Sequence, residues 1–588
     1  MVTVAEYLSK RLLELGADTL FSIPGNYTAE FLLQADAAGL QCIGTTNELE
    51  AGYAADAYSR LRGIGVCSAT YGVGTHSLYN AISGAYVEFC PVVLVNGSPP
   101  PVKFQNLRER GILFAHAIDP IRTDAAIFEE VTVASAIIDD PFSAPERIDS
   151  VLTECVRQSR PVYLEVLQGI WSEPCAGPEV PLSIDRESSD LMDAATRHVV
   201  ELVSDKIRRA KRPVIWGGEL LQRRGLTGFF QQLVKRTGYP YTTTLMGKAL
   251  IPEDEFPSQF VGVYDSKFAP DDVRRAVESS DCLLALGTIM SDFYADIVIQ
   301  SGDRMILASD DATRVGRALY PNVGIMSLVP ALVENLGPRA GDIKLAGMQQ
   351  ILEQRESPAG LEGGDAPISF DNFFERLASV MDESTTLLVD TSLALFPAAE
   401  VPVRRKNGFI AQTAWLSIGY TCGATLGISA ADPDTRVVTV VGDGGFQMIP
   451  QAFSTLAKSK ANAIVFVLDN GTYGIEQYLV DMQILPQSER FFENSLPEAS
   501  FFDVLPRWDY AQLGEAFGGR GLAIETLDQL DEFLANPGEG AVLVGVRIDQ
   551  HDLPQEIQRT IPADPAVQES AVASPQGAGS PLRIRGFN

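Results

Sequence analysis

Two stretches in the last third of the chain constrain its fold most. RVVTVVGDGGFQM and NAIVFVLDNGTYGIEQ each run as an unbroken apolar segment ending in small and polar residues, Gly442-Asp443-Gly444 and Asp469-Asn470-Gly471. Short runs of Val, Ile, Leu and Phe bounded by glycine suit strands buried on both faces, the pattern of a parallel sheet. The 27 residues from Asp443 to Asn470 leave room for a crossover helix over 446–459. Both loops then arrive at the carboxyl edge of one sheet, where open α/β sheets bind ligands. There a carboxylate (Asp443), an amide oxygen (Asn470) and the main-chain carbonyl of Thr472 supply three hard oxygen ligands for Mg2+, which usually shares its shell with phosphate. Gly442, Gly444 and Gly445 let the backbone approach such a phosphate, with helix-start amides facing it. Gly-Asp-Gly alone also marks a plain tight turn after a core strand; the strand-ending Asn at the matching distance favours a site.

At 588 residues the chain exceeds one hydrophobic core, and the alternation of strands and helices predicts three doubly wound α/β domains with mostly parallel sheets. They are expected over 1–180, 195–340 and 366–555, with the Gly/Pro/Glu-rich stretch ESPAGLEGGDAP as a linker. The first and third units share a coarse layout, and 556–588, rich in Ala, Ser, Pro and Gly, reads as a mobile tail or arm. The net charge of −30 argues against nucleic acid or an anionic membrane as partner, while leaving phosphate ligands open to a metal ion and backbone amides. Seven scattered cysteines without a CxxC pair read as reduced core thiols, and four histidines exclude a histidine-rich metal cluster. Without a membrane-length apolar run or a signal-peptide pattern at the N-terminus, the expected location is the cytoplasm.

GDGGFQM together with LDNGTYGIEQ resembles the diphosphate-binding signature of thiamine-diphosphate enzymes, and the resemblance is closest to the pyruvate and indolepyruvate decarboxylase branch. It covers about residues 1–550, with IPGN, TNELEAGYAADAYSR, TYGVGTHSLYNAISGAYVE and AWLSIGYTCGATLG in the expected order. The resemblance implies thiamine diphosphate and Mg2+ as cofactors. It also implies pyrimidine-binding, central and diphosphate-binding domains in that order, and at least a homodimer, or a tetramer, with active sites between subunits. Glu48 matches the glutamate that hydrogen-bonds the pyrimidine ring and promotes its imino tautomer, a role suited to a carboxylate in a mostly apolar pocket. Ile418 matches the bulky residue wedged between the cofactor rings, the Leu416 carbonyl matches the acceptor of the pyrimidine amino group, and Thr391 belongs to the cofactor-contacting set. Glu476 aligns with a glutamate near the substrate carboxylate, and His116 with the second member of a histidine pair.

Two positions depart from that pattern. The branch carries an aspartate where this chain has Asn26, and the first histidine of the pair is Ala115. An amide cannot donate and recover a proton near neutral pH, so protonation of the enamine left after carbon dioxide departs is expected to slow. Non-oxidative decarboxylation of a 2-oxo acid is therefore the first expectation. Carboligation, coupling that enamine to a second carbonyl compound, is the alternative, and a catalytically silent cofactor-binding protein is the reading from another class. Phe114, Leu393, Trp415 and Leu416 fit a bulky or aromatic substrate. YGVGTHS reads as a turn before a helix, and Asp124 and Glu129 as a solvated helical face.

Overall fold

Valine-, isoleucine- and leucine-rich runs buried on both faces assemble into three large sheets. The structure, a computed structural model, describes residues 1–118, 124–184, 193–338, 364–483 and 499–561. In the N-terminal sheet the strands lie, edge to edge, in the order Gln41–Gly44, Thr19–Ser22, Gly65–Thr70, Val92–Ser98, Val162–Leu167, Ser135–Ile138, all parallel. The C-terminal sheet has the same order and direction: Phe409–Ala411, Thr385–Val389, Arg436–Gly442, Ala463–Asp469, Val542–Arg547, Arg520–Ile524. The central sheet has seven strands and ends in an antiparallel pair, Ala312–Val315 and Ala318–Pro321, while its other neighbours are parallel except where Met305–Ala308 meets that pair. Three doubly wound α/β units are thus present.

In both six-stranded sheets the order reverses direction beside the first strand in sequence, and the loops after the first and third strands flank that switch point, where open sheets take ligands. In the C-terminal sheet these loops start at Asp390 and Asp443. In the N-terminal sheet they carry Pro24-Gly25-Asn26 and Tyr71-Gly72.

Four helices hold the candidate residues in place: α1 (Glu48–Arg62), α2 (Val73–Val87), α3 (Tyr420–Ala431) and α4 (Gly474–Gln483). α1 begins where Asn47 caps it, its Oδ1 accepting from the Glu50 amide at 2.8 Å, and stops at Gly63 in the left-handed region. α1 and α3 cross closely because α3 presents glycines. A Cβ on Gly427 would stand 2.1 Å from the Ala54 carbonyl oxygen, and one on Gly423 2.8 Å from the Tyr53 Cβ. Beside this crossing, the buried Arg60 guanidinium meets Asp56 and Glu88, each at 2.7 Å. Tyr420 donates to Asp56 at 2.6 Å, and Glu88 accepts the Ala414 and Trp415 amides. A desolvated cation so satisfied fixes register between the N- and C-terminal units, since removing one partner would strand a buried charge. Apolar cores unite the C-terminal sheet with the central unit on one face and with α1 and α2 on the other.

One local expectation needs correction. The helix over 446–459 is two short pieces, Asp443–Phe446 and Ala452–Lys458. Pro450, which lacks an amide hydrogen and clashes with the preceding turn, stands between them. The linker is described only from residue 364, and of the C-terminal arm only 556–561 are described, including part of the helical turn Gln555–Gln558. The cysteines are free, six of them buried. Among the described residues no helix is long and apolar enough to cross a membrane.

Candidate active site

The strands Arg436–Gly442 and Ala463–Asp469 pair in register with Gly442 opposite Leu468, so the loops leaving them touch. Asp443 is buried; its Oδ1 accepts from the Gly444 amide at 2.9 Å and its Oδ2 from the Gly471 amide at 2.7 Å. Burial raises its carboxyl well above the ordinary range, the neighbouring Asp469 charge adds to the rise, and the two amides oppose it. Asn470 and Thr472 are buried beside it; Asn470 Oδ1 accepts from the Thr472 amide at 3.1 Å, and Thr472 Oγ1 has no partner among the described residues. Gly442, Asp443, Gly444, Gly445, Asn470 and Thr472 line one cleft of about 420 Å³ together with Thr391, Leu393 and Ile418. The sequence-predicted metal ligands and diphosphate contacts therefore come together.

The glycines here are required by contact. A Cβ on Gly444 would stand 2.3 Å from the Tyr473 ring, and one on Gly445 2.8 Å from Asp390 Oδ1. Gly471 takes φ +78°, and a Cβ there would meet the Arg507 guanidinium at 2.7 Å. Arg507 in turn holds Asp469 (3.2 Å) and the Asn470 carbonyl (3.1 Å), so Asp469 is neutralised from behind, while Asp443 has no such cation among the described residues. A buried carboxylate without a cation, an orphaned hydroxyl and a cradle that any Cβ would fill fit a cation carrying a phosphate group.

The second wall is the turn Trp415–Gly419. Asp390, which ends the strand Thr385–Val389, accepts from the Gly419 amide (2.8 Å) and from the Thr421 amide and hydroxyl (2.9 and 2.8 Å). Burial nonetheless pushes its carboxyl up to about 6. Gln412 Oε1 accepts from the Ser417 amide at 2.9 Å, and Leu416 is held at φ +59°, a backbone state that a branched side chain rarely adopts outside functional turns. Ile418 faces the cleft. Leu416 instead lines a small neighbouring cavity with Leu395, Phe396 and Thr413.

The remaining predicted residues lie elsewhere. Glu48 opens α1, half-buried, with its Oε1 3.4 Å from where a Cβ on Gly74 would sit. Asn26 is exposed on the turn after Gly25, and Glu476 is exposed in the first turn of α4. His116 is exposed at φ +66°, its ring edge-on to Tyr71 at 5.7 Å. Trp415 is 39% exposed and donates through Nε1 to Asn80 at 2.8 Å. Neither Glu48, Asn26 nor His116 lines the cleft that holds Asp443; the lining comes from the C-terminal unit.

Asp124 corrects the sequence reading. It is no solvated face: its Oδ2 accepts from the Gly72 amide at 2.6 Å and from the Thr75 hydroxyl, and its side chain is 13% exposed. The first five residues of its segment lie outside the described residues; Glu129 is exposed as expected. Gly72, at φ +67°, makes the expected turn into α2. Sequence reasoning also missed Asp390, Tyr473 and Arg507. A lone carboxylate directly after TTLLV was a usable signal for Asp390. Arg507 is brought in from far along the chain and carried none.

Comparison with known proteins agrees with this geometry. Family models of thiamine pyrophosphate enzymes match three segments: the N-terminal TPP binding domain at residues 2–113, the central domain at 200–336 and the C-terminal TPP binding domain at 392–546. The chain is 30% identical over 579 residues to a pyruvate decarboxylase of Aspergillus fumigatus, covering 96% of this chain and 97% of that protein. It is 30% identical to pyruvate decarboxylase 1 of Oryza sativa subsp. japonica (87% and 82% covered) and 29% identical to pyruvate decarboxylase 1 of Zea mays (91% and 85% covered). Asp443, Asn470 and Thr472 lie within the matched C-terminal TPP binding domain and Glu48 within the N-terminal one, and the chain belongs to the thiamine pyrophosphate enzymes, in their pyruvate decarboxylase branch.

Proposed function

We propose that the protein is a thiamine-diphosphate- and Mg2+-dependent non-oxidative decarboxylase of a 2-oxo acid of the pyruvate, phenylpyruvate or indolepyruvate type. One observation carries this reading: Asp443, Asn470 and Thr472 share a buried, glycine-walled cleft at a sheet switch point. In this reading Asp443, Asn470 and the Thr472 carbonyl hold Mg2+, while Gly442, Gly444, Gly445 and Thr391 receive the diphosphate. Ile418 supports the cofactor rings, and the left-handed turn at Leu416 presents its carbonyl to the pyrimidine. Bound thiamine diphosphate supplies the nucleophilic carbon and the electron sink that let carbon dioxide leave a 2-oxo acid. Glu48 keeps a proton on the pyrimidine nitrogen, Glu476 sits toward the substrate carboxylate, and His116 and Asn26 border the edge where the product is protonated.

Glu48 and the cleft belong to different units, and the described lining of the cleft contains no N-terminal residue. This supports self-association in which the N-terminal unit of one subunit covers the C-terminal unit of another, giving a homodimer or a tetramer. A second reading, carboligation, is favoured by Asn26 and Ala115, which remove two proton-handling groups from that edge.

The test is a thiamine diphosphate titration with and without Mg2+, followed by product analysis by mass spectrometry with pyruvate, phenylpyruvate and indolepyruvate. Mg2+-dependent binding and an aldehyde are expected. A hydroxyketone as main product selects carboligation, binding without turnover leaves a silent cofactor-binding protein, and no binding at all overturns the proposal.

A further inference from the structure

Two of the chain's four histidines stand at one corner of the N-terminal sheet, at its switch point. His116 packs over Gly72: a Cβ on Gly72 would lie 2.1 Å from the His116 carbonyl oxygen and 3.1 Å from its Cβ. Asp124 grips the same glycine from the other side through its amide and binds the Thr75 hydroxyl with the same oxygen. The second carboxylate oxygen of Asp124 is 3.4 Å from His76 Nε2. His76 lies in the first turn of α2, its amide bonded to the Gly72 carbonyl at 2.9 Å. Its Nε2 has no hydrogen-bond partner among the described residues, although its side chain keeps 31% exposure. One helical turn further, Asn80 bonds Trp415, Tyr53 and Ser417, so this face of α2 runs from the His116 loop to the Trp415–Gly419 turn.

Further carboxyl groups pack around the His76–Asp124 pair. Behind Asp124 lie Tyr163 and Glu165; burial raises the Glu165 carboxyl, with the Asp124 charge adding to the rise. Glu48 faces α2 at Gly74, two residues from His76. Carboxylates thus converge on α2, and the two imidazoles share this corner with the Lys103 ammonium, which lies over the Phe114 ring at 5.5 Å.

We infer that His76, oriented by Asp124, is the residue through which this chain takes up the proton that its reaction consumes, serving where Ala115 leaves the histidine pair incomplete. This rests on the decarboxylase reading. The balance is R–CO–COO⁻ + H⁺ → R–CHO + CO₂: the bond to the carboxylate breaks, its electron pair stays on the former keto carbon, and one proton is added there. His76 is a positioning and relay residue that takes this proton from solvent and is re-protonated in each cycle, without touching the reacting atoms.

The experiment uses the full-length protein with thiamine diphosphate, Mg2+ and pyruvate, and compares wild type with His76→Ala, His76→Gln and Asp124→Asn. His76→Ala and His76→Gln are expected to keep cofactor binding within about twofold while kcat falls by about 10-fold or more with little change in KM. Added imidazole is expected to restore kcat in His76→Ala but not in His76→Gln, whose side chain still fills the site; a merely structural role for His76 would show no such rescue. Asp124→Asn, which keeps the acceptor for Gly72, is expected to lower kcat less. Unchanged kcat in both His76 variants, or no rescue by imidazole, overturns the inference while leaving the decarboxylase reading intact. Failure of the wild type to bind thiamine diphosphate or release aldehyde overturns both.

Discussion

The N- and C-terminal sheets share one strand order and one switch point, yet the residues at those switch points sit in opposite surroundings. At the C-terminal edge Asp443, Asn470 and Thr472 are buried, walled by glycines on which a Cβ would stand less than 3 Å from its neighbours, and braced by Arg507 and Asp390. At the N-terminal edge Asn26 and His116 are exposed and Glu48 is half-buried. The first arrangement comes together within one chain. The second is open and departs from the family pattern at Asn26 and Ala115. A phosphate-and-cation anchor depends on backbone geometry that tolerates little change, whereas protonation of a product can be served by groups from several directions, so the same topology constrains one edge more tightly than the other.

The largest effect expected from this contrast is at the buried edge. Asp443→Ala should weaken Mg2+-dependent thiamine diphosphate binding by about 100-fold or more, since it removes a ligand outright rather than a supporting partner. Calorimetric titration with and without Mg2+ measures it, and retention of tight binding would remove Asp443 from the anchor. Glu48→Gln tests the other edge by a different readout. Turnover should fall by about 10²–10⁴-fold while cofactor affinity stays within a few-fold, because the change touches proton chemistry and not the anchor. Equal losses in affinity and rate would mean that the two edges do not divide the work as described.

Much of this was legible in the sequence where chemistry and backbone demand coincide. The Gly-Asp-Gly and Asp-Asn-Gly strand ends named both the parallel pairing and the cleft, because apolar runs bounded by glycine admit few alternatives. What was not legible depends on distant parts of the chain. Arg507 reaches Asp469 across 38 positions, and Asp124 looked like a surface residue because its partners, Gly72 and Thr75, lie about 50 positions earlier. The crossover helix was misjudged because apolar periodicity over 446–459 persists across Pro450 although the backbone cannot.

Asn26→Asp probes the open edge more gently. Restoring a carboxylate at an exposed turn is expected to cost under about 0.5 kcal/mol in stability, and the aldehyde fraction among products should rise a few-fold over coupled hydroxyketones. Product ratios from pyruvate by mass spectrometry decide this. An unchanged ratio would show that the departure at position 26 has no bearing on proton delivery.

A change in stability rather than in activity reports why the buried edge is buried at all. Asp390 accepts three hydrogen bonds that position the Gly419–Thr421 backbone, yet burial outweighs them and its carboxyl is pushed up from 3.8 to about 6. A carboxyl whose folded value is raised binds its proton more tightly folded than unfolded. Its contribution is therefore complete below about pH 4 and is lost as pH rises toward 6, at up to ~1.4 kcal/mol per pH unit. Asp390→Asn carries no such charge and should gain on wild type over that interval, then run parallel to it above pH 6. Urea-unfolding midpoints of both proteins between pH 4 and 8 give the difference directly. If the variant instead loses ground as pH rises, the donors outweigh desolvation at Asp390. The C-terminal edge would then be stabilised by its charges rather than in spite of them, and the contrast with the open N-terminal edge would be one of hydrogen bonding rather than of burial.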